Sequence, residues 1–294
     1  MKHLKGTFAL VVLLLLPAFI SAQEKINNFA LYHPESIATD GVYYYITDIG
    51  KELNPVGKDG DGIIWRMKIS GMTSGDSVFI SGLNAPKGTV IIQKTLLATD
   101  VDKVIAFDIP SGKKKYEIDM SSVKSNFLND IAIKDDSTLF VSASDINKIF
   151  IVHLSAALYF EELVLADTIH GPNGLIFSQK QNRLYVCGFG SNNQPNGEIG
   201  FIDLSSDKKT FTKIIDNQGL YDGIAILDGN NIIVSNWVAF EKKGIILKIN
   251  LINKSIENVN STPVAGPADF MLTDKNEIII PEMIEGNILK FKVQ

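Results

Sequence analysis

Gly171-Pro172-Asn173-Gly174-Leu175-Ile176-Phe177 is a turn that runs into an apolar strand, and variants of it recur along the whole chain. Pro172 fixes φ and Gly174 frees it, so the triplet punctuates the backbone before Leu175 to Phe177 extend. The equivalent triplets are Pro34-Glu35-Ser36, Pro86-Lys87-Gly88, Leu128-Asn129-Asp130, Tyr221-Asp222-Gly223 and Pro267-Ala268-Asp269. Their middle residues stand between 42 and 52 positions apart. That interval is the length of a four-stranded propeller blade.

Working outward from each triplet, a second apolar run follows a polar turn: Val42 to Ile46, Leu96 to Ala98, Leu139 to Val141, Leu184 to Cys187, Ile232 to Val234 and Ile278 to Ile280. A third run follows at Ile63 to Trp65, Val104 to Phe107, Ile149 to Val152, Ile199 to Ile202, Ile245 to Leu247 and Ile288 to Phe291. Weaker, more polar fourth strands are predicted at Ser77 to Ile80, Tyr116 to Ile118, Leu163 to Leu165, Phe211 to Ile215 and Ile256 to Val259, as suits an outer edge. The pattern predicts an all-β, six-bladed β-propeller with four-stranded antiparallel blades, a single domain over residues 23 to 294. The sixth unit lacks a fourth strand, so Phe29-Ala30-Leu31 is expected to pair there and close the ring from the N-terminal side. Ser155 to Glu162 reads as a short helical turn, Asp59 to Gly62 as a hairpin turn before Ile63, and Gly188 to Gly197 as an extended surface loop.

Lys2 and Lys5 precede an apolar run from Phe8 to Ile20 that ends in Ser21-Ala22, the pattern of a secretory signal peptide over residues 1 to 22. A membrane span needs about 20 apolar residues, and this run is shorter and broken by Pro17. The expected product is an exported protein, periplasmic or extracellular, with no membrane anchor after cleavage and no cysteine beside the cleavage site to carry a lipid. The formal net charge of −5 argues against nucleic acid as a partner. Cys187 is the one cysteine, so it forms no internal disulfide; it reads as a buried strand residue. Without disulfides the fold needs a large core, and 45% hydrophobic residues supply one. A monomer is expected, and the lack of disulfides leans towards a periplasm.

The sequence carries no Walker loop, no His-Glu-x-x-His and no Gly-x-Ser-x-Gly. Gly188-Phe189-Gly190 lacks the third glycine of a dinucleotide fingerprint. The triplets are more informative, because the innermost strands of a propeller surround one axis and bring equal repeat positions together. The middle positions are Glu35, Lys87, Asn129, Asn173, Asp222 and Ala268. Glu35, Asn129, Asn173 and Asp222 form a hard-oxygen set that suits Ca²⁺, or less well Mg²⁺ or Mn²⁺. Asn and Asp also serve as turn formers before strands, which is the alternative at each of these positions. Asp130 and Asp269 follow one residue later, either behind the ring or in the channel. Lys87 places a positive charge among them, either to bind a substrate carboxylate or oxyanion or to pair with Glu35 in place of a metal.

Pro172-Asn173-Gly174-Leu175, Tyr221-Asp222-Gly223-Ile224 and the early Glu35 resemble the markers of the senescence-marker-protein (regucalcin)/gluconolactonase family, six-bladed propellers with a central divalent metal. The resemblance implies that Glu35, Asn173 and Asp222 are metal ligands and that Asn129 contacts metal or a bound water. It further implies that Asp222 is the base that activates water for attack on a lactone or ester. Phe127 stands where family lactonases commonly carry a sugar-holding arginine, a departure from the pattern. The expected function is therefore a secreted metal-dependent hydrolase of small lactones or related esters. Asp222 or Asp269 would act as base, with Lys87, Asp130 and His170 at the substrate and His170 or His33 as auxiliary bases. The alternative is a non-catalytic, NHL-like binding propeller for a glycan, peptide or protein.

Overall fold

The structure is a computed structural model and describes residues 22–70, 77–155 and 157–293. Residues 1–21 of the expected leader lie outside the described residues. Six four-stranded antiparallel sheets are arranged in chain order as blades. Blade 1 comprises Pro34–Thr39, Tyr43–Asp48, Gly62–Lys68 and Ser77–Leu83, and blade 2 Pro86–Ile92, Thr95–Asp100, Lys103–Asp108 and Lys113–Asp119. Blade 3 holds Leu128–Asp135, Thr138–Ala143, Lys148–His153 and Tyr159–Glu162; blade 4 holds Pro172–Ser178, Arg183–Gly188, Gly197–Asp203 and Phe211–Gly219. Blade 5 is Tyr221–Ile226, Asn231–Asn236, Ile245–Asn250 and Ile256–Asn258. Blade 6 is Met271–Leu272, Glu277–Glu282 and Asn287–Lys292, completed by Glu24–Lys25.

The core lies between blades, in layers. Leu97, Val104 and Met120 of the second repeat pack on Val141 and Phe150 of the third. Ala132 and Phe140 pack in turn on Leu184, Val186 and Ile202 of the fourth. Both faces of an inner blade strand are therefore buried, which is why the second strands read as nearly continuous apolar runs. Burial of this kind around the whole ring holds the chain without a disulfide.

The ring closes from the N-terminal side, but not with the predicted residues. Glu24 and Lys25 pair with Lys290 and Leu289, and Ile26 N–H donates to Ile288 O at 2.9 Å. Asn27 then ends the strand: its Oδ1 accepts from Ile288 N–H at 2.7 Å, and its Nδ2 donates to Gly286 O at 3.1 Å and Phe29 O at 3.0 Å. Phe29 and Leu31, expected as the strand, instead plug the seam between the first and last blades with Met67, Ile279 and Ile288. Their apolar character reflects that burial. Replacing Asn27 with alanine is expected to cost about 2–3 kcal/mol in chemical denaturation, because two backbone groups lose partners in a buried place. A loss below about 0.5 kcal/mol would show that this hook does not hold the ring closed.

Blade 3 corrects a second expectation. Tyr159–Glu162 is the outer strand, where a helical turn was expected, and Leu163 to Leu165 lie beyond it. Cross-strand pairing decides this: Phe160 meets Phe150 edge-on at 6.0 Å, Tyr159 stacks on His153 at 4.2 Å, and Lys148 pairs with Glu162 at 2.5 Å. Leu163 is buried in the layer shared with blade 4, hence its apolar signal.

Candidate functional site

Five of the six triplets are β-bulges. Pro172 faces Gly188 and Leu175 faces Val186, so three steps on one strand match two on its neighbour. The same extra residue occurs at Pro34/Ser36, Pro86/Thr89, Leu128/Ile131 and Tyr221/Ile224. A bulge lifts its residue out of the ladder and re-aims the side chain. The middle residues Glu35, Lys87, Asn129, Asn173 and Asp222 all line one cavity of about 690 Å³. The residues that follow, including Asp130 and Asp269, line a second cavity of about 440 Å³ on the strands beyond. Glycine is required where inner strands approach: a Cβ on Gly174 would lie 2.2 Å from Asp222 O, and one on Gly223 2.8 Å from Asp269 Cα.

A second repeated device, missed from sequence, fixes the backbone of these middle residues. Thr99 Oγ1 donates to Asn129 O at 2.5 Å, Ser142 Oγ to Asn173 O at 2.8 Å, Cys187 Sγ to Asp222 O at 3.1 Å and Ser235 Oγ to Ala268 O at 3.1 Å. Each donor sits on the second strand of the preceding blade and satisfies a carbonyl that the bulge has freed from the ladder. The signal was one polar or sulfur residue at the same place in otherwise apolar runs. Cys187 is buried and unbonded covalently, as expected, but it also belongs to this series of donors.

The cavity floor is rich in acceptors. Trp237 Nε1–H donates to Asp222 Oδ2 at 2.8 Å, and Asn129 Nδ2 donates to Ser144 Oγ at 3.2 Å, while Asp222 Oδ1 and Asn129 Oδ1 receive no donor. Asp222 Oδ1, Asn129 Oδ1 and Glu35 Oε2 are all buried with no hydrogen-bond donor. Each such atom costs about 1–3 kcal/mol, so three around one cavity call for a compensating cation. No three Asp, Glu, His or Cys side chains converge among the described residues. The set is two carboxylates and two amides, which fits a hard divalent ion of flexible coordination such as Ca²⁺.

Electrostatics point the same way. Burial, then repulsion from Asp222 and Asp269, raises the Glu35 carboxyl well above its ordinary range. Burial and Asp269 push Asp222 up to about 8, with Trp237 and the nearby Asn173 amide opposing. Burial raises Asp269 to about 6, and burial and Asp269 raise Asp130. Lys87 is pulled down to about 8 by burial although Glu35 opposes this. Of these four raised carboxyls, Glu35 and Asp222 share the first cavity with the buried ammonium of Lys87, whereas Asp130 and Asp269 line the second.

Lys87 does not replace a metal by bonding to Glu35. Its Nζ donates to Pro55 O and Ala85 O, each at 2.8 Å, and lies 5.2 Å over the Phe127 ring, with no ion pair to Glu35. Pro55 belongs to the long connection after Asp48, of which the expected hairpin turn at Asp59 to Gly62 is only the end. Ala268, the sixth middle residue, is buried and does not line the cavity. Asp269 Oδ2 accepts from Ser36 Oγ at 2.6 Å, and Asp130 accepts from Leu175 N–H at 2.7 Å, so both join neighbouring inner strands. His170 lies outside the cavity lining, with Nδ1 3.3 Å from Glu198, and His33 Nδ1 lies 2.8 Å from Met283 O.

Aromatic side chains that the sequence did not flag form much of the wall. Phe189 meets Trp237 at 5.7 Å and Phe240 at 6.0 Å, and Trp237 meets Phe240 at 5.4 Å. Phe189 comes from the start of the expected surface loop, whose Ser191, Asn192 and Asn193 also reach the cavity.

The structure resembles solved propellers at low sequence identity. A protein of unknown function from Bacteroides thetaiotaomicron superposes with a TM-score of 0.68 at 11% identity, covering 93% of this chain and 72% of that one. A gluconolactonase of Xanthomonas campestris gives 0.65 at 12%, covering 93% and 90%. A virginiamycin B lyase of Staphylococcus aureus gives 0.61 at 16%, covering 93% and 99%. These likenesses concern the fold. A search of curated proteins finds no match. The model of the SMP-30/gluconolactonase/LRE-like region matches residues 58–276. With its six bladed sheets, the chain belongs to the SMP-30/gluconolactonase/LRE-like family.

Proposed function

We propose that this chain is an exported, divalent-metal-dependent hydrolase of lactones or related esters. The observation that carries the proposal is the trio of donorless buried acceptors, Glu35 Oε2, Asn129 Oδ1 and Asp222 Oδ1, around one cavity. Glu35, Asn129, Asn173 and Asp222 would hold the ion, which would polarise the substrate carbonyl and offset negative charge that develops on its oxygen. Asp222 would also serve as the base: the hydrogen bond from Trp237 Nε1–H to its Oδ2 orients the carboxylate, which would take a proton from water. The water oxygen bonds to the carbonyl carbon, the acyl carbon–oxygen bond breaks, and the proton passes from Asp222 to the departing alkoxide. Membership of the family, with a gluconolactonase among the similar structures, supports this chemistry.

The test is a panel of lactones and aryl esters offered to the full mature chain after chelation, and again with Ca²⁺, Mg²⁺ or Mn²⁺ restored. Turnover should vanish on chelation and return with the ion. Metal-dependent thermal stabilisation without turnover of any member would replace the hydrolase with a binding propeller. No effect of any ion on melting would remove the metal centre itself.

A further inference from the structure

We infer that this cavity takes a lactone or ester whose acyl or ring substituent is apolar, not a polyhydroxylated sugar lactone. The inference deepens the hydrolase proposal and, for turnover, rests on it. Its basis is the state of the polar groups around the cavity. Ser144 Oγ already donates to Pro172 O at 2.7 Å and accepts from Asn129. Asn147 Oδ1 accepts from Gly171 N–H at 2.8 Å, and Asp145 accepts from Ser125 Oγ at 2.6 Å and Asn126 N–H at 2.8 Å. Two of the three donors of Lys87 are committed to backbone carbonyls. The indole N–H of Trp237 is committed to Asp222, so the ring offers only carbon to a ligand.

Much of the remaining wall is Phe127, Phe189, Phe240, Leu53 and Met283, which offer no side-chain hydrogen bonds. Ser191 to Asn193 are the exception, but they sit on the loop, with Asn192 and Asn193 exposed. A sugar lactone would lose water from several hydroxyls against this wall and regain few hydrogen bonds. An alkyl or aryl group of similar size would instead remove both its own surface and the aromatic wall from water. Phe240 is half exposed, so there is aromatic surface at the mouth for such a group to cover. Phe127 occupies the side where Lys87 lies, and its ring already stacks beneath that ammonium. The wall therefore favours apolar substituents on both sides of the acceptor floor.

The experiment compares δ-decanolactone with glucono-δ-lactone on the Ca²⁺-loaded chain, alongside binding of the corresponding unhydrolysable lactams read by tryptophan fluorescence. The expected kcat/KM preference for the alkyl lactone is about 100-fold or more, the discrimination a well-matched apolar pocket reaches. In Phe240→Ser and Phe189→Ser variants that preference should shrink by about tenfold each, mostly through KM. Equal or faster hydrolysis of the sugar lactone, or equal or tighter binding of its lactam, would overturn the inference. If neither lactone turns over but the alkyl lactam binds at least tenfold more tightly, the hydrolase proposal fails and the ligand class stands.

Discussion

An Asp222→Asn variant is expected to lose about a thousandfold in kcat/KM on whichever lactone the wild type hydrolyses, yet to melt higher than the wild type when both are chelated at pH 8. The rate loss follows from removing a base and an ion ligand together; general-base contributions alone are about 10²–10⁴-fold. The gain in melting temperature has a different origin. The folded chain raises Asp222 to about 8, against an ordinary value near 3.8, because burial and Asp269 oppose its charge. Each pK unit is about 1.4 kcal/mol, so at pH 8 without metal the buried carboxylate opposes folding by several kcal/mol. Asparagine removes that charge and still offers an oxygen to Trp237 Nε1. The same variant should show no Ca²⁺-dependent rise in melting temperature. If it keeps that rise, or melts below the chelated wild type, Asp222 is not the charged member of a metal centre.

The sequence made the ring legible because its signal is periodic. A proline or glycine brackets the middle residue in most copies, the glycines because a Cβ there would collide with the neighbouring inner strand, so five inner strands and their middle residues could be found by alignment alone. Two strands escaped for the same physical reason. Phe29 to Leu31 and Leu163 to Leu165 are apolar because they fill seams between blades, whereas the true edge strands Glu24–Lys25 and Tyr159–Glu162 are short and polar. Local pattern reports burial before it reports pairing, and at a propeller's edge the two separate.

The candidate site divides in the same way. The acceptor floor was readable because all of its members occupy one repeat position. The direction of Asp130 and Asp269 depended on the bulge, which sends successive side chains to different cavities. The aromatic wall was not readable, because Phe189, Trp237 and Phe240 come from connections that follow no repeat rule. Cys187 was legible as buried but not as a hydrogen-bond donor, since the equivalence with Thr99, Ser142 and Ser235 appears only once the blades are in register.

With metal removed, the wild type should be most stable near pH 4–5 and lose melting temperature steadily towards pH 8; with saturating Ca²⁺ that fall should become shallower, because Glu35 and Asp222 line the acceptor cavity whereas Asp130 and Asp269 line the other. The sign follows from which state binds more protons. Asp222 at about 8, Asp269 at about 6, and Glu35 and Asp130, both raised, hold protons in the folded chain that the unfolded chain has released. Their stabilising contribution is complete below the unfolded values near 4 and is lost as pH rises through the folded ones. Surface carboxyls act oppositely. Asp40 and Asp135 are lowered by hydrogen bonds to neighbouring groups and lose their contribution only as pH falls below about 4, which sets the acid limit. Lys87, lowered to about 8, adds a recovery above that pH, where the unfolded chain still binds the proton that the folded chain has lost. A cation on the acceptor floor favours the ionised carboxylates, so its binding releases protons and the calcium-minus-chelator gap should widen between pH 5 and 8. Melting curves at unit pH intervals measure this directly. A gap that stays constant, or a chelated protein that grows more stable from pH 5 to 8, would mean that the four buried carboxyls are compensated by something other than protons or metal.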